Sequence, residues 1–178
     1  MDTHGKFTEP DTIRFERVLP GPITRIWEYV TDSEKRGKWL ASGDMQLFAG
    51  GKYTLYFRHS ELSPVPETPP QKYKDMVNGH SFSGTVLQCE PPHLLIFTWG
   101  DGSEVTIKLT EQPGGKDVLL VLTHRKLSQR KATRISVASG WHTHLHILSD
   151  VLSGIVPKGF WEMHNRLENI YAAEMVAG

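Results

Sequence analysis

The stretch SGWHTHLHILSDVL, residues 139–152, decides the fold. At 3.6 residues per turn, one face of a helix over this stretch would carry Trp141, Leu145, Leu148 and Leu152. The chain before it, from about Thr12 to Arg125, has mostly the patterns of β-strands. A sheet needs a cover for its apolar face, so we expect an α+β fold in which the sheet wraps around this long C-terminal helix.

Strand patterns recur at short, regular spacing, and turn residues separate them. The first, TIRFERVL from Thr12 to Leu19, alternates apolar and polar residues as a half-buried strand does. Hairpin-type turns such as Gly50-Gly51 indicate an antiparallel sheet of six or seven strands. The predicted strands are residues 12–19, 44–48, 52–58, 81–89, 93–99, 103–111 and 117–124.

Two short helices are expected after the first strand, over about 22–30 and 33–38, because Pro22 suits a first helical turn and Thr31 or Asp32 can cap the second helix. A further helix is expected over 160–175, after a break at Pro157–Gly159. Residues 1–11 are predicted to be a flexible N-terminal arm, and residues 12–175 a single domain.

Composition excludes several classes of protein. Lys plus Arg equals Asp plus Glu, so no net positive charge favours nucleic acid. The single cysteine, Cys89, excludes an internal disulfide and a multi-cysteine zinc site, and indicates a reducing compartment. There is no run of about 18 apolar residues to span a membrane, and the polar N-terminus has no signal-peptide core. We therefore expect a soluble cytoplasmic protein.

Residues 60–75 form the oddest segment, a polar stretch interrupted by prolines at 64, 66, 69 and 70. Such a stretch cannot be the interior of a helix or strand. Loops of this length are usually functional or disordered, so a lid over a pocket mouth and simple surface disorder both stay open.

Several motifs occur in the order that is typical of one family. After the first strand come Pro22, Trp27 and Thr31-Asp32 leading to Trp39; Gly50-Gly51 and the strand Gly84-Thr85-Val86-Leu87 follow, and then Glu90-Pro91-Pro92, Phe97-Thr98-Trp99, Thr123-His124 and Gly140-Trp141. In this series the chain resembles the activator-of-heat-shock-protein-90-ATPase-like (AHSA-type) domains of the START/SRPBCC, Bet v-like superfamily. The resemblance covers about residues 10–175.

This resemblance implies a helix-grip fold, with a cavity between sheet and helix for an apolar or amphipathic molecule. The first hypothesis is therefore a binding domain for such a small molecule, with no assigned reaction and no cofactor. We expect a cavity of several hundred Å³ (a common size for ligand pockets), with walls that include Trp39, Phe57, Trp99, His124, Trp141, His144, Leu145 and Leu148.

Two histidines are candidates for chemistry in that cavity. His124 ends an apolar strand on the side of Leu120 and Leu122, where it could donate a proton or simply bond a backbone carbonyl. His144 lies near the apolar stripe of the long helix, as a cavity group or as a hydrogen-bonded core histidine. The second hypothesis is therefore a cyclase- or hydrolase-type enzyme, which requires a cavity histidine without a protein hydrogen-bond partner.

A row of possible metal ligands follows the same helix. His142, His146 and Asp150 are spaced at one turn each, as zinc ligands on a helix can be. The helical wheel places this row beside or behind the apolar stripe, facing solvent or a subunit interface. We therefore predict no metal site.

The third hypothesis is an interaction protein that acts on a chaperone or forms a homodimer. Phe160 and Trp161 outside the core, or one basic patch from Arg125 to Arg134, would favour it. The additional N-terminal domain expected of the co-chaperone is missing from this sequence, which speaks against chaperone activation. The fold by itself cannot separate the three hypotheses, because one fold hosts many functions.

Overall fold

A computed structural model describes residues 3–177 and contains one seven-stranded antiparallel sheet. Its strands are β1 (Lys6–Glu9), β2 (Thr12–Pro20), β3 (Lys52–Phe57), β4 (His80–Glu90), β5 (Leu94–Thr98), β6 (Glu104–Glu111) and β7 (Asp117–Arg125). Their order across the sheet is β1-β2-β7-β6-β5-β4-β3, so the chain leaves β2 and returns beside it as β7.

Four α-helices accompany the sheet in this part of the chain. They are α1 (Ile23–Thr31), α2 (Ser33–Arg36), α3 (Lys131–Leu152) and α4 (Phe160–Ala177). The long helix α3 contacts β2 on one side and α4 on another. The α+β helix-grip fold, with two short helices after the first long strand, is thereby confirmed; α3 begins eight residues earlier than the stretch that predicts it.

The predicted flexible arm is wrong for the residues that form β1. Lys6 and Phe7 pair with Arg14 and Ile13 of β2, which adds an edge strand to the sheet. The N–H of Gly5 donates a hydrogen bond to the Tyr171 hydroxyl at 2.8 Å, so α4 also holds this segment. Residues 1 and 2 of the predicted arm lie outside the described residues.

The predicted strand over 44–48 is likewise absent from the sheet. Only isolated bridges, Ser42 to Tyr56 and Met45 to Tyr53, join this segment to β3. A buried arginine of α2 orders the start of this segment. Arg36 is 2 % exposed, and its guanidinium donates to the carbonyls of Thr31, Ala41 and Gly43. Burial lowers the pKa of Arg36 to about 10, so the side chain is charged at neutral pH.

Replacing Arg36 by Met leaves these carbonyls without donors in a buried site. Each unpaired buried group costs about 1–3 kcal/mol, so we expect Arg36→Met to lower the free energy of unfolding by about 3 kcal/mol or more, measured by urea denaturation. The exposed Arg58 supplies the matched control, since its ion pair with Glu61 lies at the surface. Equal losses in Arg36→Met and Arg58→Met would contradict this account.

Candidate functional site

A cavity of about 170 Å³ lies where the sheet, α3, α4 and the 60–79 segment meet. Aromatic rings and imidazoles make up most of its wall. The lining residues are Leu40, Phe57, His59, Tyr73, Met76, His80, Phe82, Trp99, His124, Ser136, Val137, Gly140, Trp141, His144, Phe160, Trp161 and His164. Lys, Arg, Asp and Glu are absent from this set, so the wall has no permanent charge.

Helix α3 contributes one face to the cavity. Val137, Gly140, Trp141 and His144 are spaced by three, one and three residues, which places them on the same side of a helix. Gly140 creates free space on this face. A Cβ built there would meet no heavy atom of residues 3–177 within 4 Å, its chain neighbours and own helix backbone aside. The helix therefore leaves room opposite the sheet at this position.

Five of the eight predicted wall residues line the cavity: Phe57, Trp99, His124, Trp141 and His144. The other three are packed in the core beside it: Trp39, Leu145 and Leu148, each with none of its surface exposed. The cavity is also smaller than the predicted several hundred Å³. That any of these residues binds a ligand stays a prediction.

Three histidines line the cavity that the sequence analysis did not predict as wall residues: His59, His80 and His164. His59 and His80 lie at the two ends of the proline-rich segment, and His164 lies on α4. The His59 ring packs against the Phe160 ring with centroids 4.2 Å apart, and the His80 ring stacks on Phe57 at 4.7 Å. Nothing in the local sequence pattern marks these positions, because the loop and α4 reach the cavity only through tertiary packing.

His124 is fully engaged in a hydrogen-bonded chain. The indole N–H of Trp141 donates to Nδ1 of His124 at 3.0 Å. Since Nδ1 accepts, the neutral ring carries its hydrogen on Nε2, which lies 2.6 Å from the Ser103 hydroxyl. Ser103 in turn donates to the Asp101 carboxylate. Both ring nitrogens of His124 are thus satisfied, so it lacks the free nitrogen that the enzyme hypothesis requires.

His144 is engaged through only one nitrogen. Its Nδ1 lies 2.7 Å from the carbonyl oxygen of Trp39, and Nε2 has no hydrogen-bond partner among residues 3–177. The His59 and His164 rings make no hydrogen bond within the same residues, and their Nδ1 atoms are shut off from solvent. The carboxylate of Glu168 is near His164, with 3.8 Å between Oε1 and Nδ1, which is too long for a hydrogen bond.

Burial keeps the cavity histidines neutral at pH 7. Desolvation lowers the pKa of His124, His144 and His164 to about 4 each, and that of His59 to about 2. The pKa of His80 is lowered for the same reason. Because the charged imidazolium form is disfavoured by its surroundings, the site offers imidazole lone pairs and N–H groups but no cationic charge.

The proline-rich segment is folded against α4 over the cavity. Its 3₁₀ helix Gln71–Met76 places Tyr73 and Met76 in the cavity wall. The Tyr73 ring stacks on Trp161 at 5.1 Å, and its hydroxyl donates to the Glu168 carboxylate. A second attachment lies at the start of α4, where the Glu67 carboxylate accepts the N–H of Trp161 at 2.9 Å. Of the two interpretations of this loop, the structure thus favours an ordered cover.

The predicted orientation of the helix row His142, His146 and Asp150 is wrong for its first member. His142 is buried, and its Nδ1 lies 2.8 Å from the Tyr171 hydroxyl because α4 covers this side of α3. His146 is exposed and lies 3.6 Å from Asp150. Within residues 3–177, no three His, Cys, Asp or Glu side chains are placed to hold a metal ion.

Two observations would favour the third hypothesis, exposed Phe160 and Trp161 or one basic patch, and the structure shows neither within residues 3–177. Phe160 and Trp161 are buried, at 2 % and 4 % exposure. The basic run is divided: Arg125 and Lys126 pair with Glu104, and the guanidinium of Arg134 lies over the Phe7 ring. Across residues 3–177, no helix has the length and apolar character to cross a membrane.

Comparison with known proteins identifies the class to which this fold and cavity belong. Residues 20–153 match the family described as activator of Hsp90 ATPase homolog 1-like protein, and the chain belongs to that family. No match was found among curated proteins.

Solved structures share the fold over most of the chain. The protein encoded by gene BPP1335 of Bordetella parapertussis, known from a solution NMR structure, is 39 % identical with a TM-score of 0.80, over 96 % of this chain and 89 % of that one. A conserved protein of unknown function from Enterococcus faecalis is 18 % identical with a TM-score of 0.71, over 97 % and 91 %. CalU16 from Micromonospora echinospora is 22 % identical with a TM-score of 0.64, over 91 % and 86 %.

The buried neutral histidines make folding sensitive to mild acid. Their folded pKa values lie below the value of about 6.5 in an unfolded chain, so the unfolded state binds protons first and stability falls as pH falls below 6.5. At pH 5.5, each such histidine lowers the free energy of unfolding by about 1.4 kcal/mol. We expect the thermal midpoint to fall by about 10 °C or more between pH 7.5 and pH 5.5.

The contribution of the carboxylates to stability does not change over this pH interval. The pKa values of Asp101 and Glu104 are lowered, so their stabilisation is lost only below about pH 4.5. A thermal midpoint that is unchanged between pH 7.5 and pH 5.5, followed by circular dichroism, would contradict burial of the histidines in neutral form.

Proposed function

We propose that this protein binds a small, uncharged apolar or amphipathic molecule in the cavity between the sheet, α3 and α4. The observation that carries the proposal is a 170 Å³ void with an aromatic and imidazole wall and no permanent charge. Cores are normally packed without such voids, and a cavity of about 150 Å³ is enough for a benzene ring. A ligand with roughly one six-membered ring therefore fits this space.

The wall composition supports binding of an aromatic molecule. Phe57, Phe160 and Trp161 are buried, and Trp99 packs edge-on against Phe82 with centroids 4.7 Å apart. Rings in such a wall make favourable edge-to-face and offset contacts with an aromatic ligand. Tyr73 and Met76 of the ordered cover line the same cavity, so they would also contact the ligand.

A second candidate function is acid–base catalysis in the same cavity, and the free Nε2 of His144 is the observation that favours it. The lowered pKa argues for binding over catalysis. An imidazole with a pKa of about 4 is unprotonated at pH 7 and a weak base, whereas efficient catalysis needs a pKa near the working pH. A homodimer or a chaperone partner has no comparable observation in its favour.

Filling the cavity from α3 tests the binding function. Gly140→Leu projects a side chain into the open space, so we expect it to abolish binding while Gly140→Ala retains most of it. Both substitutions remove a helix glycine, which is worth about 0.5–1 kcal/mol of stability, so loss of fold is not expected. Native mass spectrometry of purified protein, followed by organic extraction, identifies any bound molecule.

If the purified protein is empty, toluene and phenol serve as probe ligands. Each is titrated into the protein, and binding is followed by amide shifts in ¹H–¹⁵N NMR spectra. Saturable shifts at cavity residues in the wild type and in Gly140→Ala, lost in Gly140→Leu, are the expected result. A wild-type protein that co-purifies with nothing and shows no saturable shift with either compound would contradict the proposed function.

A further inference from the structure

Among the polar atoms that the protein leaves free in the cavity is one imidazole lone pair, that of Nε2 of His144. His144 is 5 % exposed, lines the cavity, and uses only Nδ1 in a hydrogen bond. Its Nε2 has no hydrogen-bond partner among residues 3–177 and, unlike Nδ1 of His59 and His164, is not shut off from solvent, so a molecule in the cavity can reach it. Such an atom, in a cavity of ligand size, indicates what chemical group the ligand presents.

We propose that the ligand is a neutral one-ring aromatic molecule that carries an O–H or N–H donor, and that Nε2 of His144 accepts the hydrogen bond from this group. The inference rests on the proposed function and specifies the class of ligand. A phenol is the simplest member of this class.

The hydrogen position on His144 follows from its partner. The backbone carbonyl of Trp39 can only accept, so Nδ1 of His144 carries the hydrogen and donates to it at 2.7 Å. A neutral imidazole has a single N–H, which leaves Nε2 with an unshared lone pair. This atom can accept a hydrogen bond from a ligand and cannot donate one.

A second cavity histidine, His164, lies on α4, and its Nδ1 makes no hydrogen bond within residues 3–177. The Glu168 carboxylate, 3.8 Å from Nδ1 of His164, favours the tautomer with hydrogen on that nitrogen, because a positive N–H dipole faces a negative oxygen. Nε2 of His164 is then also an acceptor. A ligand group with lone pairs alone, such as an ether or a carboxylate, cannot donate a hydrogen bond to Nε2 of His144.

The lack of a cationic side chain in the cavity wall disfavours anionic ligands. The wall contains no Lys or Arg, and an anion moved into a buried site without a cationic partner pays a large desolvation penalty. Phenol, with a pKa of about 10 like the tyrosine side chain, is neutral at pH 7, whereas benzoate is ionised.

A series of four one-ring compounds tests this inference: phenol, toluene, anisole and benzoate, measured at pH 7 by calorimetry and NMR titration of the wild-type protein. We expect phenol to bind about tenfold more tightly than toluene and anisole, as one unfulfilled buried acceptor implies. Benzoate should bind more weakly than all three.

The variant His144→Asn removes the proposed acceptor atom Nε2 and tests its contribution to binding. An Asn side chain can place its amide N–H near the position of Nδ1 and keep the bond to Trp39, but it has no atom at the position of Nε2. We expect the ratio of toluene to phenol dissociation constants to fall about tenfold, with toluene affinity nearly unchanged. His146→Asn, at an exposed position on the same helix, is the control and should keep the wild-type ratio. Thermal melts of both variants establish that they fold.

The outcomes separate this inference from the proposed function. Toluene that binds as tightly as phenol would overturn the donor requirement while the binding function stands. Anisole equal to phenol would also overturn it, since the wall would then donate, for example through the indole N–H of Trp99 or Trp161. Benzoate as the tightest ligand would overturn the requirement for a neutral molecule. Binding of none of the four would count against the proposed function itself.

Discussion

The hydrogen bond from His144 to the Trp39 carbonyl is the interaction on which the site depends. It joins residues 105 positions apart in sequence, and links the long helix α3 to the segment after α2. Trp39 is itself fixed by its indole N–H, which donates to the Tyr29 carbonyl at 2.7 Å. This bond and the one from Arg25 of α1 to the Leu152 carbonyl at 3.1 Å both hold α3 to the first helices. The His144 bond also sets the tautomer of that ring and leaves one imidazole lone pair for the cavity.

Desolvation is the constraint that gives the cavity its chemical character. Several imidazoles buried among aromatic rings stay neutral, since each charged form would lose its hydration without gaining a partner. His144 also lines the cavity with an Nε2 atom that has no hydrogen-bond partner among residues 3–177. This free acceptor is consistent with a site that is completed by a bound molecule.

Much of the fold was predictable because its signals are local. Alternation gave β2 and β6, the spacing of Trp141, Leu145 and Leu148 gave α3, and the ordered motifs gave the family. The edge strand β1 was missed because KFTE is short and polar, and its pairing depends on contacts with β2 and Tyr171. The burial of His142 was missed because it depends on how α4 lies on α3.

The site was predictable only in part, for a related reason. Phe57, Trp99, His124, Trp141 and His144 lie on elements whose inward faces have a sequence period. Of the remaining histidines, His59 directly precedes the proline-rich segment, His80 begins β4 and His164 lies on α4. The position of α4 is set by long-range contacts such as that of Glu67 with the N–H of Trp161. Sequence periodicity also cannot distinguish a cavity-wall residue from a core residue. For this reason Trp39, Leu145 and Leu148 were predicted as wall residues although they are packed in the core.

The measurement that tests the central claim most directly is long-range ¹H–¹⁵N NMR of the histidine rings in the wild-type protein at pH 7. It reports the protonation and tautomer of each imidazole. The account predicts a neutral His144 ring with its hydrogen on Nδ1 and an unprotonated Nε2, whose ¹⁵N shift moves upon addition of phenol. A His144 ring that is protonated on both nitrogens, or that carries its hydrogen on Nε2, would contradict the account.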